Sequence, residues 1–80
     1  MSDSDSEHEV DATGLKCPEP VMMLHAAIRR AEAGETVLLT ATDPSTQRDV
    51  ANFCEFLGHN LLESTAVEGQ FIYRVRKAGR

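Results

Sequence analysis

The stretch Gly14 Leu15 Lys16 Cys17 Pro18 Glu19 Pro20 places a thiol beside the prolines that open a helical pattern. Pro18 suits the first helical position, where its missing N–H would lack an intrahelical partner and its fixed φ already matches the helix. Cys17 is then expected at the N-cap. Sulfur is a weak acceptor, and giving up a Ser, Thr, Asp or Asn cap costs about 1 kcal/mol, so the thiol reads as a chemical requirement displacing a structural one. An anionic sulfur there would meet the positive end of the helix dipole and the free N–H groups of Glu19 and Val21. A thiolate so placed falls from an ordinary pKa of about 8.5 to roughly 7 or below, with Lys16 assisting and Glu19 opposing. The competing reading is a small buried residue at a helix start.

The elements that must position this thiol follow from periodicity. Val21, Leu24, Ala27, Ile28 and Ala31 form one apolar face of a helix from Pro18 to about Ala33, closed by Gly34. Met22, Ala26, Arg29 and Arg30 occupy the opposite face. An exposed Met22 followed by Arg29 and Arg30 suits the docking of an acidic partner around the cysteine; a partly buried Met and two solvated arginines is the plain alternative. A weak strand is expected around Glu9 to Thr13, with Val10 and Ala12 on one side. Thr36 to Thr42 is a continuous β-prone run and reads as a central strand. Asp43 Pro44 Ser45 Thr46 opens a second helix with an ordinary Asp cap, its buried stripe being Val50, Phe53, Cys54 and Leu57, and Gly58 ends it. Leu61 to Glu68 and Phe71 to Arg76 form a hairpin about Glu68 Gly69 Gln70.

The order β-α-β-α-β-β predicts a two-layer α/β sandwich, in which a mixed four-stranded sheet is covered on one face by two helices. The first two strands should be parallel through a crossover and the last two antiparallel. Both strand-to-helix turns then lie at the carboxyl ends of parallel strands, the edge where ligands bind in open α/β sheets. Asp43 is thereby a possible neighbour of Cys17, although a plain cap is the favoured reading of it.

Composition narrows the classes of function. Eighty residues, 41% of them hydrophobic, make one small domain without room for a deep enzyme pocket. No apolar run approaches the roughly 20 residues of a membrane span. The acidic, polar N-terminus carries no secretory signal, so a cytoplasmic setting with reduced thiols is expected. Residues 1–11 hold five of the thirteen acids and no Lys or Arg, leaving eight acids to balance eight bases. The reading is therefore a mobile acidic tail over residues 1–8 and a single domain over 9–80 whose charges balance from residue 12 on, without the basic face that nucleic-acid binding needs. His8, His25, His59 and the two cysteines fall at no zinc-ligand spacing, and no cofactor motif is present. His25 reads as a solvated helix-edge residue, and His59 as a cation suited to the negative helix end. Cys54 reads as a buried small hydrophobe, and no Cys-x-x-Cys supplies a resolving thiol.

The run from Gly14 through Met23, together with Gly34 Glu35 Thr36, Asp43 Pro44, Arg48 Asp49 and Phe53 Cys54, resembles the TusA/SirA sulfur-carrier family over nearly the whole chain beyond residue 9. Its Cys-Pro-x-Pro motif is more diagnostic than a lone Cys. The resemblance implies that Cys17 accepts a sulfane sulfur as a persulfide from a cysteine desulfurase and passes it to a relay acceptor of TusBCD type, ending in 2-thiolation of the tRNA wobble uridine. It implies supporting roles for Lys16, Pro18, Glu19 and Pro20, no cofactor, and a monomeric stoichiometric carrier in place of a self-contained enzyme. Family helices are often more basic after the motif; here His25 and Ala26 occupy part of that surface. A persulfide, being more acidic than a thiol, suits a helix N-terminus, and a lone exposed cysteine suits a carrier because a resolving thiol would discharge the sulfur. Molybdenum-cofactor maturation and sulfur oxidation are other destinations within the family. A regulatory or interaction module with a structural Cys17 is the reading from another class.

Overall fold

The computed structural model describes residues 7–79. The elements run β1 (Glu7–Ala12), α1 (Glu19–Arg30), β2 (Thr36–Ala41), α2 (Thr46–Leu57), β3 (Asn60–Val67) and β4 (Gln70–Arg76). The sheet order is β1-β2-β4-β3, with β1 parallel to β2 and β4 antiparallel to both of its neighbours. The expected mixed sheet with two helices is the observed α+β fold, and β2 is an interior strand. Among the described residues no helix is long and apolar enough to cross a membrane.

Alternation along the strands decides which face the helices cover. Val10 and Ala12, Val37, Leu39 and Ala41, and Phe71, Tyr73 and Val75 share one side of the sheet and join Leu24, Ala27, Ile28, Val50 and Cys54 in one core. Burying such side chains contributes about 1.5–3 kcal/mol each. Among the described residues the buried polar one is Thr46, whose Oγ1 donates to the Asp43 carbonyl at 2.7 Å and lies 2.7 Å from the Tyr73 hydroxyl. That satisfies a phenol that would otherwise be stranded in the core. On the other face Arg74 ties the sheet crosswise, reaching Glu63 on β3 and Glu7 on β1.

Several expected boundaries move. β1 begins at Glu7, because Glu7 pairs with Arg74 and the His8 ring meets Glu35 Oε1 at 2.8 Å, so these two residues belong to the sheet and not to a tail. The rest of the expected tail, residues 1–6, lies outside the described residues. α1 ends at Arg30, where Ala31 turns extended (ψ 158°), and Gly34 at φ +90° shapes the later turn into β2. Within α2, Val50 and Cys54 are buried and Phe53 is half-buried as expected, but Leu57 is 42% exposed at the helix end. The hairpin turn has Glu68 at φ +49° and Gly69 at φ +82°, the paired left-handed residues that match strand twist.

Candidate functional site

Parallel pairing of β1 with β2 in the register Ala12 to Ala41 brings the two loops that follow these strands out side by side. The loop after β1 is then pinned to the loop after β2. Gly14 N–H donates to Thr42 Oγ1 at 2.9 Å, and Cys17 N–H donates to Asp43 Oδ2 at 2.7 Å. The same Asp43 carboxylate accepts Ser45 N–H through Oδ1 at 3.0 Å, which sets up the tight turn entering α2. These contacts hold the Asp43 carboxyl below the usual range, the Cys17 bond contributing most, Ser45 next, with Lys16 charge assisting. Asp43 is therefore not the expected cap of α2, whose N-cap position is Ser45 without a side-chain bond to the helix; its carboxylate closes the turn before the helix and clamps the Cys17 loop.

Cys17 is exposed, but it is not the N-cap. α1 has Pro18 in the capping position, with Glu19 and Pro20 as its first residues, and the Cys17–Pro18 peptide is cis. Glu19 N–H donates to the Lys16 carbonyl at 2.8 Å, so it is not aimed at the sulfur. The thiol instead donates to Asp49 Oδ2 at 3.0 Å across from the first turn of α2. Its pKa is therefore raised, contrary to the expected depression. The hydrogen bond to Asp49 is the main cause, followed by desolvation and by the charges of Asp49 and Asp43. The Ser45 hydroxyl, buried and with no hydrogen bond closed, lies near enough to the sulfur to favour its anion and only partly offsets this.

Asp49 is the residue that sequence reasoning missed as part of this site. Its side chain is 18% exposed, with Arg48 Nε 3.5 Å from Oδ1. An acid in the first turn of a helix is ordinary dipole compensation, so nothing in its local pattern distinguishes it. Pro20 is buried beneath the loop and serves packing, while Lys16, Pro18 and Glu19 are exposed around the thiol.

The expected docking residues lie farther along α1. Met22 is 60% exposed, and it lines a shallow hollow with His25, Ala26 and Arg29; a neighbouring apolar one runs from Leu15 and Glu19 past Met22 and Met23. Arg30 is exposed in the last turn without lining either. The His25 ring meets Phe53 edge-on at 5.5 Å. His59 is not the cation expected at the end of α2. Its Nδ1 accepts Ala78 N–H at 3.0 Å, and its pKa is lowered, chiefly by burial and then by Lys77 and His25.

A sequence model of the family described as Sulfurtransferase TusA matches residues 8–77. The chain belongs to the TusA family. It is 52% identical over 77 residues to the sulfur carrier protein TusA of Pseudomonas putida (strain GB-1), covering 96% of each chain. The TusA protein of Pseudomonas syringae pv. syringae (strain B728a) is 56% identical over 69 residues, 86% of this chain and 82% of its own. That of Pseudomonas entomophila (strain L48) is 51% identical over 77 residues. The TusA match begins within β1 and ends just past β4, so it takes in all of the sheet that positions Cys17 except Glu7.

Proposed function

We propose that this protein is a stoichiometric sulfur carrier of the cytoplasm, in which Cys17 takes a sulfane sulfur from a cysteine desulfurase and hands it to a relay acceptor of TusBCD type for 2-thiouridine formation at the tRNA wobble position. The observation that carries this reading is one exposed thiol on a clamped loop, while Cys54 is buried. A carrier must present its sulfur to two different proteins in turn, and an open loop at the sheet edge lets both approach. Membership of the family and the curated relatives named sulfur carrier proteins support it. Met22, Arg29 and Arg30 are exposed along α1 beyond the thiol and are the proposed docking residues of the donor, with Lys16, Pro18 and Glu19 in the contact rim.

Loading transfers one sulfur without net redox change. The donor's S–S bond breaks, a bond forms between its outer sulfur and Cys17 Sγ, and the Cys17 proton goes to the departing donor thiolate. The thiol donates to Asp49, which raises its pKa, so a donor that loosens this bond on docking would ease deprotonation of Cys17. Incubation with a cysteine desulfurase and L-cysteine, followed by mass spectrometry, tests the reading. A gain of one sulfur on Cys17, reversed by a reducing thiol, is expected, whereas an unmodified Cys17 overturns the carrier and favours an interaction module.

A further inference from the structure

The group facing Cys17 is a carboxylate, and a carboxylate treats a thiol and a persulfide in opposite ways. Asp49 Oδ2 accepts the thiol proton at 3.0 Å, an interaction available only while the sulfur carries hydrogen. A persulfide is an anion near neutral pH and its inner sulfur has no proton to donate. The contact then changes from a hydrogen bond to like-charge repulsion. We infer that Asp49 sets the transfer potential of the carrier, stabilising the empty thiol and destabilising the loaded persulfide so that sulfur is passed on rather than retained. This rests on the carrier reading above.

The surroundings favour this asymmetry. Asp49 is held in place: its backbone N–H donates to the Ser45 carbonyl at 3.0 Å, and Arg48 Nε sits 3.5 Å from the other carboxylate oxygen. Arg48 is 73% exposed and therefore only weakly compensates the charge. Asp43, in the loop after β2 and clamped to Cys17 N–H, adds a second negative charge, and Glu19 lies two residues beyond Cys17 in the chain. Lys16 is the cation adjacent in the chain, and its charge acts on Asp43. Two anionic groups from the α2 side thus bracket a site meant to hold a third. The Ser45 hydroxyl is the donor beside the sulfur and offsets these charges only in part.

The balanced reaction is Cys17 thiol plus glutathione persulfide anion giving Cys17 persulfide anion plus glutathione, with the outer sulfur moving one way and the proton the other. Its equilibrium constant is read by mass spectrometry of the full chain in buffers of fixed glutathione persulfide to glutathione ratio. Asp49→Asn keeps size and acceptor but removes charge, and it is expected to raise the loading constant roughly fivefold to tenfold and to lower the pH at which Cys17 is alkylated. Asp49→Glu keeps the charge and should stay within about twofold of wild type. A merely structural Asp49 would leave the loading constant unmoved in Asp49→Asn or shift it equally in both variants, and either result overturns the inference. Failure of the wild type to take sulfur from either glutathione persulfide or a desulfurase overturns the carrier reading itself, a result distinguishable from equal loading of wild type and variant.

Discussion

The two cysteines of this chain both hold their protons more tightly than a free thiol, for unrelated reasons. Cys54 is 4% exposed among Val50, Tyr73 and the sheet, and burial alone pushes its pKa up to about 11. Cys17 is exposed, and its thiol donates to one carboxylate in the first turn of α2. The difference is one of reversibility. Desolvation by a packed core is removed only by unfolding, whereas a single surface hydrogen bond is released when a partner engages Asp49 or when the sulfur itself changes.

The sharpest contrast comes from replacing each sulfur. Cys17→Ser should abolish sulfur uptake, measured by mass spectrometry after desulfurase treatment, and leave denaturant stability within about 0.5 kcal/mol of wild type. Cys54→Ser should do the reverse, retaining uptake and costing about 1–3 kcal/mol because a hydroxyl is buried without a partner. Uptake lost in both variants would erase the distinction. Alkylation of the native protein at pH 8 should then modify Cys17 on the order of a hundredfold faster than Cys54, which reacts only through opening of the core.

A pH titration probes the buried thiol further. The folded pKa of Cys54 lies above that of a free thiol, so the unfolded chain loses that proton first. The contribution is fully present below about pH 9 and lost as pH rises toward about 11. Cys54→Ala should flatten that alkaline limb in thermal melts, and an unchanged limb would point to Tyr73, whose pKa burial also raises. At the exposed thiol, Asp43→Ala removes the acceptor of both Cys17 N–H and Ser45 N–H. It should lower the melting temperature by roughly 5 °C and slow loading while Cys17 stays alkylatable. The smallest stability effect belongs to Arg29→Glu with Arg30→Glu, within about 0.5 kcal/mol, although association with an acidic donor surface should slow markedly. Unchanged transfer by that double variant would leave these arginines as solvated helix surface.

Much of this architecture was legible from pattern. The β2 run, the stripe of Leu24, Ala27 and Ile28, and the left-handed glycines at 58 and 69 each express a local preference that packing then reinforced. Helix ends were less legible, since Ala31, Glu32 and Ala33 continue a helical composition while the Glu35 side chain draws Glu32 N–H out of the helix at 2.9 Å. Cys17 as the exposed, chemically distinct residue was also readable, because its Pro-flanked position is a local feature.

What surrounds that sulfur was not local. The thiol and Asp49 are 32 positions apart and the Cys17 N–H and its Asp43 acceptor 26, and each pair meets only because β1 and β2 align in parallel and release their loops at one edge. Sequence alone determined that a thiol sits at the mouth of α1 and that an acid, Asp43, stands before α2, since both follow from Pro placement and helix-start chemistry. Whether that thiol faces helix donors or a carboxylate depended on where the second loop lies relative to the first. Strand register and loop clamping decide that, and in place of an expected stabilised thiolate they leave a thiol that donates to Asp49 and has its pKa raised.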